Sequence, residues 1–202
     1  MSITLYIILI TVIVSFLCFQ NRDLFLRLSL NPYSIIKKNQ WYRLLTHGFV
    51  HADFTHLLVN MFVLWSFGSA VEELFSFIDG FGAIAFLFMY LGALVFSSIP
   101  DLVKHKGDYL YNSIGASGAV AAVLFASIFF NPWGMIYLFA IIPIPSIIFG
   151  VSYVAYEQYM SKRASDNINH SAHIWGALFG VLYIIVLKPD MVLHFINSLL
   201  LR

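Results

Sequence analysis

Six apolar runs, each close to the length of a helix that crosses a bilayer, constrain this chain more than any other feature. A hydrocarbon core about 30 Å thick needs about 20 apolar residues in helical form. The runs cover 3–20, 54–71, 81–99, 115–130, 133–156 and 171–187. Charged residues and turn formers, such as Asn131-Pro132, separate them. The pattern predicts an all-α membrane protein with six transmembrane helices, in which 1–202 form a single integral-membrane domain.

The composition supports lipid as the main solvent. Apolar residues make up 60% of the chain and charged residues only 10%, whereas soluble domains carry about 25% charged residues. The net charge of +1 gives no reason to expect a nucleic-acid partner. The single cysteine, Cys18, excludes an intrachain disulfide and a cysteine-based zinc site.

Two segments between the runs are expected to lie at the membrane surface. The long first connection, 21–53, mixes apolar residues with five Lys or Arg residues and with Trp41 and Tyr42, a composition suited to the headgroup zone. Residues 191–202 are too short to span. Within the fifth run, Pro143 and Pro145 each remove a helix hydrogen bond, so a bent or broken helix is predicted there.

The polar side chains inside the runs fall at one depth. With six spans, the second, fourth and sixth helices begin on the same side of the membrane. From the helical rise, Ser117 lies about 21 Å above the far end of its helix and His173 about 22 Å above the far end of its own. His56 and Asn60 lie about 24 and 18 Å above theirs. All four are predicted to share a layer about 10 Å below the surface.

These residues can support acyl-transfer chemistry. Polar groups at that depth cost free energy unless they pair or line a wet cavity. A serine becomes a nucleophile when a base lies within hydrogen-bond distance, and His173 is at the right level for Ser117. Helix-packing serine and buried structural histidine are the alternative interpretations of each residue taken alone. Small residues would let the two helices approach closely; they are Gly118, Ala121 and Ala122 on the fourth helix, and Gly176 and Gly180 on the sixth.

Donors for a developing oxyanion are also available. The first amides of the fourth helix, at Ser117 and Gly118, have no acceptor within the helix. His56 and Asn60 are four residues apart on one helical face and could donate further hydrogen bonds. The runs contain no carboxylate close to Ser117 or His173 in sequence, so a Ser-His dyad is expected rather than a triad.

Three segments resemble the rhomboid intramembrane serine proteases. They are WYRLLTHGFVHADFTHLLVNMFVLWSFGSAVEELF (41–75), GASG (115–118) and AHIWGALFG (172–180). They match the family's Trp-Arg start, His-x4-His-x3-Asn helix, Gly-x-Ser-Gly turn and Ala-His-x2-Gly-x3-Gly helix. The resemblance extends in order over 41–180 and is to the minimal six-helix bacterial type.

The resemblance implies a role for each matching residue. Ser117 would be the nucleophile and His173 the general base, and His56, Asn60 and the amides of Ser117 and Gly118 would form the oxyanion hole. Residues expected to pack helices near the site are Gly115, Ala121, Ala122, Gly176 and Gly180. Residues expected to have structural roles are Trp41, Arg43, His51 and Glu72.

The implied activity is cleavage of peptide bonds in or near transmembrane helices, through an acyl-enzyme and without a cofactor or a metal. The partners would be single-pass or multi-pass membrane proteins and the lipid bilayer. The chain departs from the family pattern at two positions. Tyr42 separates Trp41 from Arg43, and Ala121 occupies a position where many relatives carry an aromatic residue that stacks on the catalytic histidine. Something else must therefore hold His173.

Two other functions remain open at this point. One is a non-catalytic rhomboid relative that binds membrane helices, although such relatives typically lack the serine or the histidine. The other is a metal-dependent membrane protein that uses His47, His51 and His56 with Asp53 as ligands. Within the protease interpretation, His170 is the alternative base, three residues before His173.

Family resemblance implies the plasma or inner membrane, with the site opening away from the cytoplasm. Nine of the eleven Lys and Arg residues lie on the side of that opening, and the positive-inside rule predicts the reverse orientation. We give the resemblance more weight because many of these cations belong to the long first connection, whose position the fold can determine.

Overall fold

The computed structural model describes residues 2–79, 82–138, 141–163 and 168–200, and for 77–79 the backbone alone. The chain is predominantly helical, as expected. Its helices are α1 (Ile3–Gln20), α2 (Arg22–Leu28), α3 (Pro32–Lys38), α4 (Arg43–Thr46), α5 (Phe54–Asp79), α6 (Gly82–Ser97), α7 (Ile99–Lys104), α8 (Ser117–Phe130), α9 (Ser146–Arg163), α10 (His170–Leu187) and α11 (Met191–Leu200). A 3-10 turn covers His47–Phe49, and an antiparallel hairpin joins β1 (Met135–Leu138) to β2 (Ile142–Pro145).

Four segments of the described chain are long and apolar enough to cross a membrane. They are Ile3–Gln20, Phe54–Ser76, Gly82–Lys104 and His170–Leu187. Large apolar side chains such as Phe88 and Val186 are exposed on the outside of the bundle, where lipid rather than water can cover them. The chain is thus a multi-pass membrane protein, while the count of six spans stays a prediction.

The central helix is α8, which packs against α5, α6 and α10. With 14 residues it is shorter than a full span. Its side chains are buried along nearly its whole length, and its glycine and alanine residues let neighbouring backbones approach closely. The core of the protein therefore surrounds the helix that carries Ser117.

Glu72 on α5 fixes the start of α1. Its Oε1 accepts the Ile3 amide at 2.9 Å and its Oε2 accepts the Thr4 amide at 3.0 Å. A carboxylate is favourable at a helix N-terminus, where unpaired amides carry partial positive charge. A side chain at Gly68 would clash with Thr4, with a Cβ 2.6 Å from the Thr4 Cγ2, so α1 and α5 are closely packed here.

Arg43 organises the first connection from inside. It is 7% exposed, and its Nη1 donates to the carbonyls of Leu26 and Ser29, each at 2.7 Å. Its Nε donates to Gln40 Oε1 at 2.7 Å. Because a buried guanidinium needs its donors satisfied, these bonds hold α2 and α4 together. Trp41, by contrast, is exposed.

The segment before α8 is fastened to this connection and to α10. An antiparallel bridge pairs Leu30 with Ser113. Asn169 caps α10 by accepting the Ala172 amide at 3.1 Å and donates to Asp101 Oδ2 at 2.6 Å and Ser113 Oγ at 3.2 Å. The starts of α8 and α10 are consequently held by a shared polar network.

The boundaries of two helices, α5 and α9, differ from the sequence expectations. Helix α5 continues past Glu72 to Asp79. Pro143 and Pro145 lie in β2 rather than within a helix, because proline is tolerated at the edge of a two-stranded ribbon. Helix α9 begins only at Ser146 and runs to Arg163, so Glu157 lies inside it. Residues 81, 139–140 and 201–202, which belong to the predicted segments 81–99, 133–156 and 191–202, lie outside the described residues.

Helix α9 makes few buried contacts with the bundle. Most of its side chains are exposed, and those buried are Ser146, Gly150 and Glu157. An apolar cavity of about 570 Å³ lies between α9 and the second half of α8, and Val181 of α10 and Phe195 of α11 also line it. The helix is attached to α8 and α10 by the face that carries Gly150, Tyr153 and Glu157.

Candidate active site

Ser117 is the first residue of α8 and is partly exposed. Gly115, two residues earlier, has φ of +110°, a conformation that favours glycine. A Cβ at Gly115 would lie 2.9 Å from His56 Cε1 and 3.8 Å from Ser117 Oγ. The turn thus brings the serine hydroxyl beside the His56 imidazole, and only glycine leaves room for it.

Backbones of α8 and α10 touch at the level of Ser117 and His173. A Cβ at Gly176 would lie within 2.0 Å of the Gly118 carbonyl oxygen, and one at Gly180 within 2.2 Å of the Ala122 carbonyl oxygen. At the top of this contact, a Cβ at Gly118 would lie 3.3 Å from the Ala172 carbonyl oxygen. His173 follows Ala172, and Ser117 precedes Gly118. The two residues therefore lie on turns of α10 and α8 that touch each other.

A carboxylate holds His173, contrary to expectation. Glu157 on α9 has its Oε1 2.9 Å from His173 Nδ1 and its Oε2 2.5 Å from His170 Nδ1. Glu157 is 4% exposed and His170 also 4%. The expectation of a dyad with no carboxylate at His173 is wrong, because the preceding helix, α9, supplies one from 16 residues earlier in the chain. With Nδ1 donating to Glu157, Nε2 is the ring nitrogen of His173 that is left to accept a proton.

The aromatic partner of His173 also comes from α9. The Tyr153 ring lies 6.4 Å from the His173 ring, with 29° between their planes. Ala121, which replaces the aromatic residue found on the fourth helix of many relatives, is buried on α8. Tyr153 and Glu157 are four residues apart and share a helical face, so one face of α9 positions the imidazole.

His51 links the first connection to the start of α8. Its Nδ1 donates to Ser15 Oγ at 2.9 Å, and the Ser15 hydroxyl donates to the Phe49 carbonyl at 2.9 Å. Its Nε2 accepts the Ala116 amide at 3.5 Å, near the upper limit for such a bond. The His51 ring contacts His56 edge to face at 4.9 Å. A fully buried neutral imidazole therefore supports both His56 and the turn before Ser117.

His47 and Ser117 line the same small cavity. The His47 Nε2 is 3.1 Å from the Ser98 hydroxyl. The cavity has a volume of about 10 Å³ and lies between the first connection and the start of α8. The residues that line it include His47, Ser98, Asp101 and Ser117. Its polar lining and its size suit a single water molecule.

The predicted oxyanion donors belong to the start of α8 and to α5. The Ser117 and Gly118 amides belong to the first turn of α8, and the first helix bond at this end is the Val120 amide to the Ala116 carbonyl. Asn60 is buried, and its Nδ2 donates to the His56 carbonyl at 2.9 Å. The second hydrogen on that amide remains for another acceptor.

The two buried histidines of the first connection make stability depend on pH. Burial lowers the pKa of His51 to about 3, with the neighbouring His56 acting in the same direction, and burial lowers the pKa of His47 to about 4. Since the unfolded imidazoles titrate near 6.5, they bind protons first as pH falls, and the folded state loses stability below that pH. At pH 5.5 each of the two histidines should lower the free energy of unfolding by about 1.4 kcal/mol.

We therefore expect the melting temperature in detergent to be level above pH 7 and to fall between pH 6.5 and 5.5. His51→Gln should reduce this dependence, while His194→Gln, at an exposed position, should leave it unchanged. An equal slope in wild type and His51→Gln would contradict the assignment.

The histidines weighed as metal ligands do not converge on one point. His47 pairs with Ser98 and His51 with Ser15. Among the described residues, the His, Cys, Asp and Glu donor atoms that come within 4.8 Å of one another are those of Glu157, His170 and His173. A possible ligand set therefore lies at His173 rather than in the first connection.

Sequence reasoning missed Glu157, Tyr153 and Ser15. Glu157 directly follows the fifth run, 133–156, and therefore looks like a residue of the loop after it. A usable signal existed in its spacing from Tyr153, since two polar groups four residues apart mark one face of a helix. Ser15 gave no local signal, because its partner His51 lies across the bundle.

The fold and these contacts define a helical membrane protein with a serine and a histidine on adjoining helices, and comparison with known proteins identifies its family. A model of the rhomboid domain matches residues 38–190. The chain belongs to the rhomboid family.

Relatives from bacteria and mitochondria share this region. The putative rhomboid protease YdcA of Bacillus subtilis is 30% identical over 73% of this chain and 67% of its own length. RHOMBOID-like protein 12, mitochondrial, of Arabidopsis thaliana is 28% identical over 70% of this chain and 45% of its own. Human presenilin-associated rhomboid-like protein, mitochondrial, is 32% identical over 70% and 36%. The chain spans less than half the length of these two mitochondrial relatives.

Proposed function

We propose that this protein is an intramembrane serine endopeptidase that cleaves peptide bonds in or near the transmembrane helices of other membrane proteins. The observation that carries the proposal is the backbone contact between α8 and α10. It brings the turn of Ser117 against the turn of His173, whose Nδ1 is engaged by Glu157. The names of two Bacillus subtilis relatives, the putative rhomboid protease YdcA and the rhomboid protease GluP, are consistent with this activity.

The reaction begins with proton transfer from Ser117. His173 Nε2 takes the hydroxyl proton while Oγ attacks the substrate carbonyl, and the protonated imidazole then gives a proton to the leaving amine. Water attacks the resulting ester with His173 again as base. The Ser117 and Gly118 amides, His56 and Asn60 donate to the oxyanion formed in each half-reaction.

Substrate and water approach from different directions in this proposal. An apolar scissile segment arrives from lipid, and water reaches Ser117 from the side where α5, α8 and α10 begin. By family resemblance this side is extracytoplasmic and the membrane is the plasma or inner membrane. Reporter fusions after residues 30 and 200 test this orientation, since they should report opposite sides, with residue 30 outside.

A purified enzyme tests the assignment directly. We expect wild type in liposomes to cleave a fluorogenic transmembrane peptide and to react with a fluorophosphonate probe. Ser117→Ala should lower cleavage by at least about 10³-fold and abolish labelling, because the nucleophile is lost. Ser66→Ala, at an exposed serine of α5, is the control and should match wild type.

Equal cleavage by wild type and Ser117→Ala would overturn the serine mechanism. Binding of the peptide without cleavage by wild type would identify the chain instead as a non-catalytic member of the family.

A further inference from the structure

The Glu157 carboxylate adds a third polar group to the predicted Ser-His dyad. It is the buried charged residue of a helix whose other side chains are largely exposed, and burying a carboxylate is costly unless it is paired. Both of its oxygens are used, one by His173 and one by His170. A buried group satisfied in this way has a single orientation relative to both rings.

We infer that Glu157 is a positioning residue for catalysis, which makes the site a Ser117–His173–Glu157 triad assembled from α8, α10 and α9. This inference rests on the proposed protease function. Glu157 contacts no substrate. It acts through His173 by accepting the Nδ1 hydrogen, which fixes the ring and leaves Nε2 as the basic nitrogen for Ser117.

The positions of the protons during the reaction are consistent with this role. In the resting state Glu157 is ionised, and both imidazoles donate from Nδ1 to it. When Nε2 of His173 takes the Ser117 proton, the ring becomes a cation that still donates from Nδ1, and the carboxylate stabilises that charge without taking the proton. The proton then leaves from Nε2 to the amine product.

His170 holds the carboxylate rather than replacing His173 as base. Its Nδ1 lies 2.5 Å from Glu157 Oε2 and its ring is 6.1 Å from that of His173. A glutamate side chain that accepts one bond could rotate about its last torsion, whereas one bound at both oxygens cannot. His170 thereby keeps Oε1 directed at His173.

Hydrogen bonds explain the cluster better than a bound metal. A tetrahedral zinc ion would hold an imidazole nitrogen and a carboxylate oxygen about 3.3 Å apart. The two nitrogen-to-oxygen distances, 2.9 and 2.5 Å, are both shorter. They fit charge-assisted hydrogen bonds.

Several groups besides Glu157 affect the charge of His173. Among the described residues, Tyr153 faces it from α9, His170 lies beside it on α10, and His56 of α5 is close enough to interact electrostatically. The Tyr153 side chain also interacts with Glu157. Glu157 is the group that supplies a negative charge, so its removal should take away the stabilisation of the cation that His173 becomes during the reaction.

The test is the turnover of Glu157→Gln in liposomes. We expect kcat to fall by about 10²-fold or more, with KM within about twofold of wild type. His170→Gln, which loosens the same helix pair, should lower kcat by no more than about tenfold. Glu73→Gln, at an exposed carboxylate of α5, is the matched control.

A second measurement does not depend on turnover. Nitrogen NMR of labelled histidine in the Ser117→Ala background should show His173 protonated at Nδ1 at neutral pH, and Glu157→Leu should shift it toward the Nε2 form. Wild-type kcat in Glu157→Gln would overturn the inference while leaving the protease intact. Absence of cleavage by wild type would overturn the proposed function, and the NMR result would still decide whether Glu157 positions His173.

Discussion

Gly176→Ala should strongly destabilise the protein. The added Cβ would lie 2.0 Å from the Gly118 carbonyl oxygen, and because the obstacle is backbone, the two helices must separate. We expect a loss of about 3 kcal/mol or more in detergent unfolding. Cleavage should fall by about 10²-fold, since a displacement of about 1 Å disrupts the approach of Ser117 to His173.

Two other glycines calibrate this result. Gly180→Ala meets the Ala122 carbonyl oxygen at 2.2 Å and should be comparably harmful to stability, while Gly107→Ala meets nothing within 4 Å and should be neutral. If Gly176→Ala unfolded at the same denaturant concentration as Gly107→Ala, the close contact of α8 with α10 would be refuted.

His173→Gln should reduce cleavage by at least about 10³-fold and should abolish labelling by the fluorophosphonate probe. Glutamine has no basic nitrogen, so Ser117 loses the group that takes its proton. Because His173 is partly exposed, the folded state should survive, as measured by the melting temperature in detergent.

His170→Gln separates the two candidate bases. His170 contacts Glu157 rather than the serine turn, so its loss should lower kcat by no more than about tenfold. The reverse ranking, with His170→Gln inactive and His173→Gln active, would make His170 the base and contradict the assignment of His173.

Residue patterns alone predicted the membrane fold correctly, because apolar run length is dictated by bilayer thickness. They were less successful with helix ends. The fifth run looked like one helix interrupted by Pro143 and Pro145, yet the prolines lie in a hairpin and the helix follows them. Nothing local distinguishes a proline that kinks a helix from one that precedes it.

The candidate active site was likewise predicted only in part from the sequence. The constant helical rise places residues on a vertical scale, so the level at which α8 meets α10, beside Ala172 and Gly118, was open to prediction from small residues and run ends. The carboxylate at His173 was not. Glu157 reaches it only because α9 turns one narrow face toward α10, and the rotation of a helix that is exposed on most sides leaves little trace in its sequence.

What the sequence determined by itself is therefore a multi-pass helical bundle of the rhomboid family, because the length of a membrane-spanning helix is a local property. The tertiary structure alone decided which groups touch the imidazole of His173, the Glu157 carboxylate and the Tyr153 ring. Contacts between helices depend on their relative rotation and on the loops that join them, and those follow from the packing of the whole chain.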